Sequence, residues 1–132
     1  MTISADLSIT SLYAAVLGLM FVIFTFRVGA YRLKSHISFG DGDDKELLRR
    51  MRAQGNFVES VPLALLLIAL IEFNGASDSL VHGVAIALVV GRLSHWLQLS
   101  GFIKPLPFRA GGMLLTFASM VTASVWLLLS AV

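Results

Sequence analysis

Hydrophobic residues are gathered along the chain into four long runs that are separated by short polar segments. The runs cover residues 9–26, 57–71, 80–97 and 110–132. A helix needs about 20 residues to cross the hydrocarbon core of a bilayer, and the two middle runs reach that length only when the polar residues beside them are included. The pattern therefore predicts an integral membrane protein of the all-α class. Its four helices are expected over about residues 7–33, 44–72, 78–98 and 108–131.

The connections between these helices are short and rich in residues that favour turns. They are "FGDGDD", "FNGASD" and "SGFIKPLPF". Short connections make consecutive helices antiparallel, so we expect a single domain over residues 1–132 that folds as an up-down-up-down four-helix bundle. Asp43, with Glu46 three residues later, predicts the N-cap of the second helix.

Composition and charge agree with this class and add an orientation. Hydrophobic residues make up 57% of the chain and charged residues 14%, against about 25% charged in soluble domains. All ten Lys and Arg residues flank the first and third connections, whereas the second has Glu72 and Asp78 and no base. The positive-inside rule then places the first and third connections in the cytoplasm and both termini outside. Because topology explains the bases, no nucleic-acid partner is predicted.

Two further features of the sequence concern the membrane. The first apolar run is followed, not preceded, by positive charge, which favours a retained first helix over a cleaved signal peptide. Trp96 is interpreted as an anchor at the membrane interface.

The chain contains no cysteine. It therefore has no disulfide and no thiol nucleophile of its own, and any thiol chemistry must use the thiol of a substrate. His, Asp and Glu residues do not recur at metal-binding spacing, and no glycine-rich phosphate loop or serine triad is found, so no metal is predicted.

The second helix carries a polar stripe on one side. Its strictly apolar part, residues 61–71, has 11 residues, which span about 16 Å or roughly half of the hydrocarbon thickness. Asn56 and Glu59 must therefore enter the membrane, and at about 100° per residue they lie on the same side as Arg49 and Arg52. A charge in the membrane costs at least a few kcal/mol unless it faces protein, water or a partner charge. The stripe is thus expected to face the bundle interior or a subunit interface.

Two interpretations of the stripe remain open from the residues alone. It is a binding site, or it is an internal ion pair of Glu59 with Arg52 or with Arg92 of the third helix. His95, one turn after Arg92, is either a ligand or an interfacial residue.

The run "RAQGNFVESVP" resembles the signature of the MAPEG superfamily, membrane-associated proteins in eicosanoid and glutathione metabolism. The pattern is Arg52, Asn56, Glu59 and Pro62, on the second of four helices. The runs "IEFNGA", "GRLSHW" and "FRAGGM" resemble the small bacterial branch of the same family. This resemblance implies a four-helix bundle that assembles as a homotrimer, with glutathione bound between neighbouring subunits at the cytoplasmic side.

The resemblance also implies roles for single residues. Arg109, at the start of the fourth helix, is the counterpart of the arginine that stabilises the glutathione thiolate in catalysis. Either Arg32 or Arg27 corresponds to the basic residue at the end of the first helix, with Arg32 preferred. The implied glutathione ligands are Arg32, Arg52, Asn56, Glu59, Arg92 and His95.

Three functional hypotheses are considered for a membrane protein with these features. The first is a glutathione-dependent transferase or peroxidase of the bacterial inner membrane, with glutathione as co-substrate and a lipophilic electrophile entering from lipid. The second is a non-catalytic scaffold or lipid-binding protein of the same fold, because Ser60 and Leu99 stand where the leukotriene-synthase branch has tyrosines. The third, a small multidrug-type exporter, depends on a glutamate in the first helix, and this first helix has none.

Overall fold

The computed structural model describes residues 6–131, and all regular secondary structure in that range is α-helical. The helices are α1 (Ser8–Ser35), α2 (Lys45–Phe73), α3 (Asp78–Leu99) and α4 (Pro107–Ser130). Each is long and apolar enough to cross a membrane. The predicted all-α class with four membrane-spanning helices is confirmed over this range, and the predicted bounds differ from the observed ones by at most two residues. Residues 1–5 and 132 of the predicted domain lie outside the described range.

The start of α2 is set by Asp44, one residue later than predicted. Asp44 Oδ1 accepts hydrogen bonds from the backbone N–H groups of Glu46 and Leu47, both at 2.9 Å. The prediction of Asp43 was wrong because Asp43, like Gly42 before it, has a φ of 58°, and an N-cap has an extended backbone. The hydrogen bond from Leu47 lowers the pKa of Asp44. A lowered pKa means that the cap stabilises α2 at neutral pH and is lost as the pH falls through that pKa.

The helices alternate in direction along the chain. The first turn of α1 contacts the end of α2, through Ile9 and Glu72. Tyr13 on the same part of α1 contacts His82 at the start of α3, with 2.9 Å between its hydroxyl and Nδ1. α2 and α3 each pack against all the other helices, whereas α1 and α4 make no contact within residues 6–131. α2 and α3 therefore form the middle of the bundle.

Aromatic side chains fill the core where α1 meets α2 and α3. The rings of Phe24 and Trp96 are stacked with centroids 4.0 Å apart, and Phe57 meets Phe24 edge-to-face. Trp96 is only 8% exposed, so the prediction that it anchors the chain at the membrane interface was wrong. The reason is that α1 covers this part of α3, and the guanidinium of Arg27 lies 5.1 Å from the indole centroid.

α3 and α4 come into backbone contact at two glycines. A Cβ added to Gly112 would lie 2.5 Å from the carbonyl oxygen of Gly91, and one added to Gly91 would lie 2.7 Å from the carbonyl oxygen of Gly112. Small residues allow such close approach between membrane helices. The contact brings Arg92, which follows Gly91, up against α4.

The end of α2 holds the start of α1 through a carboxylate. The two oxygens of Glu72 accept hydrogen bonds from the N–H groups of Ile9 at 2.9 Å and Thr10 at 2.7 Å. N–H groups in the first turn of a helix have no partner within the helix, and negative charge is favourable there. From the sequence alone, Glu72 indicates only the topology of the second connection.

We expect Glu72→Gln to lower the free energy of unfolding by about 1–2 kcal/mol, because the amide has one acceptor oxygen and turns its NH₂ group towards a backbone N–H. Denaturant unfolding in detergent micelles, followed by circular dichroism, measures this loss. Asp78→Asn is the matched control, since Asp78 is an exposed carboxylate at the start of α3. Equal losses in the two variants would contradict a specific role of Glu72.

Candidate functional site

A cavity of about 250 Å³ lies between α2, α3 and α4, beside the connection from α3 to α4. Its lining residues are Leu48, Arg49, Arg52, Asn56, His95, Leu99 and Arg109. Three of them carry a guanidinium, and no carboxylate lines the cavity in the described part of the chain. A cavity with this lining is suited to an anion, since arginine donates charge-assisted hydrogen bonds to carboxylates and other oxyanions.

A larger groove of about 450 Å³ adjoins the cavity. The groove shares Arg49, Leu99 and Arg109 with the cavity and adds Lys104 from the connection. Arg109 belongs to the first turn of α4, which has no acidic residue, so the positive end of that helix adds to the potential of its guanidinium.

Four of the predicted site residues are brought together here by the fold. Arg52 and Asn56 come from α2, His95 from α3 and Arg109 from α4. α2 supplies its two residues one turn apart on the same face, as the polar stripe predicts. The cavity therefore depends on the packing of three consecutive helices, α2, α3 and α4.

Glu59 pairs with Arg52 in the structure. The Arg52 Nη1 and Glu59 Oε1 atoms are 3.7 Å apart, and the two side chains are 60% and 59% exposed. Of the two ion pairs considered from the sequence, this one forms, whereas Arg92 makes no salt bridge within residues 6–131. An ion pair as open as this one contributes little to stability.

Arg92 is the most deeply buried charged side chain, at 1% exposure. Its Nε donates to Thr116 Oγ1 at 2.8 Å, its Nη1 to Asn56 Oδ1 at 2.6 Å and to Ser60 Oγ at 3.1 Å, and its Nη2 to Met113 Sδ at 3.0 Å and to the Gly112 carbonyl at 3.5 Å. An arginine has five N–H donors, so all of them have acceptors within the bundle. Arg92 thus joins α2, α3 and α4 from behind Asn56 and does not line the cavity itself.

Arg32 and Arg27 lie on α1, which contributes no residue to the cavity. Arg32 donates to the Ile37 carbonyl at 3.3 Å and to Met51 Sδ at 3.2 Å. It lines a separate groove of about 830 Å³ along the end of α1. Arg27 lies over the ring of Phe102, 4.2 Å from its centroid. Within one chain, neither arginine reaches the cavity that Arg52 lines.

Arg49 lines the cavity and lies on the predicted polar stripe of α2, although the family motif begins only at Arg52. Other residues of the site had not been predicted. Thr116 and Met113 are acceptors for Arg92, and no charge or motif in the sequence distinguishes them from other residues of α4. No group of three or more His, Asp or Glu residues in the described range lies close enough to hold a metal ion.

The fold and the cavity define the class of protein: an all-helical integral membrane protein with a cationic cavity between three of its four helices. Comparison with known families gives the group. The MAPEG family profile matches residues 10–129, so the chain belongs to the MAPEG family, as its helix-two motif predicts.

Two curated relatives support this assignment. The chain is similar to "Inner membrane protein YecN" of Escherichia coli strain K12, with 36% identity over 122 residues that cover 89% of this chain and 91% of the relative. It matches the protein of the same name from Escherichia coli O6:H1, strain CFT073, to the same extent. No solved structure gives a significant match.

Proposed function

We propose that this protein is a glutathione-dependent transferase or peroxidase that acts on lipophilic electrophiles. The observation that carries the proposal is the cavity with three arginines, an asparagine and a histidine but no carboxylate. Glutathione has two carboxylates, an ammonium and a thiol, so its net charge at neutral pH suits this lining. The helix-two motif of the MAPEG family contributes Arg52 and Asn56 to the same cavity.

Arg109 is proposed as the residue that stabilises the thiolate. A guanidinium beside a thiol lowers the pKa of the thiol and so supplies the thiolate, which is the nucleophile.

In a transferase step the sulfur of glutathione forms a bond to an electrophilic carbon, and the leaving group departs with its electron pair. In a peroxidase step the sulfur attacks a peroxide oxygen, the O–O bond breaks and an alcohol is released. The glutathione is thereby oxidised to its sulfenic acid, which reacts with a second glutathione to give glutathione disulfide and water.

We further propose that the active form is a homotrimer with a site shared between subunits. Two observations support this. Glu59 lies in a membrane-spanning helix and is more than half exposed in the single chain, and a charge that faced lipid there would be costly. Arg32 does not line the cavity of its own chain, so it would reach a glutathione site only at the interface with a neighbouring subunit. In such a trimer Glu59 would bind the ammonium of glutathione.

The proposed location is the bacterial inner membrane, with lipid around the bundle. The relatives named as inner membrane proteins support it. The ten Lys and Arg residues at the first and third connections favour a cytoplasmic position for the cavity and an outer position for both termini. Glutathione would then enter from the cytoplasm, and the apolar acceptor from the bilayer.

Arg52→Ala is expected to weaken glutathione binding by about ten- to a hundredfold, because a charge-assisted hydrogen bond is worth about 1.5–3 kcal/mol and each 1.4 kcal/mol is about tenfold in affinity. Isothermal titration calorimetry on the purified protein in detergent micelles measures the dissociation constant. Arg50→Ala is the matched control, since Arg50 also lies on α2 but pairs with Glu46 at 2.8 Å, away from the cavity. The proposal is rejected if the unmodified protein gives no heat at millimolar glutathione.

A non-catalytic carrier of a lipophilic ligand is the second candidate. It is favoured by the groove of about 830 Å³ along the end of α1, which apolar residues such as Phe26, Leu33 and Ile37 help to line. Conjugation of a chromogenic electrophile, assayed with and without glutathione, separates the candidates. A carrier gives no glutathione-dependent turnover and retains a lipid through purification.

A further inference from the structure

The hydrogen bond between Arg92 and Asn56 determines which way the Asn56 amide faces. Arg92 Nη1 lies 2.6 Å from the amide, and a guanidinium can only donate. The amide atom that faces it must therefore be the oxygen Oδ1, and the NH₂ group must point away from Arg92. The other four N–H groups of Arg92 are held by Ser60, Thr116, Met113 and Gly112, so its guanidinium cannot turn to another acceptor.

The NH₂ group of Asn56 is accessible and has no partner within residues 6–131. Asn56 is one of the lining residues, and its Nδ2 donates to no residue among 6–131. The buried side-chain nitrogens and oxygens that lack a partner in this range are Thr10 Oγ1 and Arg27 Nη1, so the unpaired Nδ2 of Asn56 is not sealed inside the bundle. A donor that is accessible and unused by the protein is available to a ligand.

Ser60 holds the same arrangement from a second side. Its hydroxyl donates to the backbone carbonyl of Asn56 at 2.9 Å and accepts from Arg92 Nη1 at 3.1 Å. The hydroxyl therefore points to Arg92 and to the α2 backbone. Ser60 supports the position of Asn56 and is not itself a ligand in this geometry.

We infer that Arg92 is a positioning residue that fixes Asn56 as a one-way hydrogen-bond donor, so that this part of the cavity binds a carboxylate or thiolate and rejects an ammonium. An amide free to rotate would present either its oxygen or its nitrogen and could bind both. The inference rests on the proposed function and deepens it: an anionic group of glutathione, not its ammonium, contacts Asn56. The ammonium must be bound elsewhere.

Substitutions of Asn56 separate this role from a purely structural one. Asn56→Asp keeps an acceptor for Arg92, now as an ion pair, so we expect a melting temperature equal to or above that of the unmodified protein. The same variant has no donor and adds a negative charge, so glutathione binding should fall by at least tenfold. Asn56→Ala removes the acceptor and is expected to lower both the melting temperature and the affinity. Undiminished binding by the Asp variant would overturn the inference.

Nuclear magnetic resonance gives a direct readout, because the chain has only two asparagines, Asn56 and Asn74. Protein labelled with ¹⁵N in asparagine shows two side-chain NH₂ pairs. Asn74 serves as the internal reference, since its Nδ2 donates to the Leu70 carbonyl at 2.8 Å. We expect acetate to move the Asn56 NH₂ signals, and methylammonium at matched ionic strength to leave them unmoved, with the Asn74 signals constant in both titrations.

The arms of this experiment distinguish the two proposals. A response of Asn56 to acetate without any response to glutathione would reject the proposed function and leave the role of Arg92 supported. A larger response to methylammonium than to acetate, or no response to either, would overturn the role of Arg92. Thermal stabilisation by glutathione with unmoved Asn56 signals would also overturn it. Arg92→Lys provides the conservative variant, in which a freed amide is expected to respond to both probes if the variant remains folded.

Discussion

Gly112→Ala is expected to lower the free energy of unfolding by about 3 kcal/mol, at the upper end of the usual cost of overpacking. The added Cβ would lie 2.5 Å from the Gly91 carbonyl oxygen, 2.7 Å from the backbone nitrogen of His95 and 2.9 Å from its Cβ. None of these atoms is the end of a flexible side chain, so the overlap can be relieved only by moving α3 and α4 apart. Such a movement would also disturb the contacts of Arg92 with α4.

The neighbouring glycine supplies a matched control. A Cβ at Gly111 meets nothing within 4 Å, and alanine is about 1 kcal/mol better than glycine inside a helix. Gly111→Ala should therefore be as stable as the unmodified protein or more stable. Denaturant unfolding in detergent micelles measures both variants under one condition. Similar stabilities would contradict the close contact of α3 and α4 at Gly112.

Arg109→Ala is expected to lower the rate of glutathione conjugation at neutral pH about 100-fold, a loss typical for removal of one group that stabilises a developing or reacting anion. The proposed reason is the pKa of the bound glutathione thiol. With the guanidinium present the thiol pKa is lowered, so thiolate is abundant at neutral pH. Without it the pKa rises, and the activity should recover as the pH is raised.

The pH profile of the turnover rate and the ultraviolet absorbance of the thiolate are the measurements. Lys104→Ala is the control, because Lys104 lines the groove of about 450 Å³ and does not line the cavity that contains Arg52 and Asn56. A general loss of positive charge would affect both variants, whereas thiolate stabilisation should affect only the Arg109 variant. A lower rate with an unshifted pH profile would contradict the proposed role of Arg109.

The polar stripe on α2 shows which residues of the site could be predicted from the sequence. The length of the apolar segment and the helical period placed Arg52 and Asn56 on one face, and both line the cavity. The same reasoning left the partner of Glu59 open, because angles around one helix do not give distances to another. Helical spacing left His95 open as a ligand, and His95 lines the cavity. The resemblance to the MAPEG family added Arg109, which also lines the cavity, and Arg32, which within one chain lies elsewhere.

The sequence by itself determined the class of protein, the number of helices and their bounds. These are local properties, since a chain in lipid must satisfy its backbone hydrogen bonds within each helix and the apolar length is then fixed by the bilayer. Only the tertiary structure decided that Arg92 is held by neutral acceptors on α2 and α4, and that Glu72 caps α1. These contacts join residues far apart in the sequence, and their geometry depends on how closely the helices approach, which no periodic pattern records.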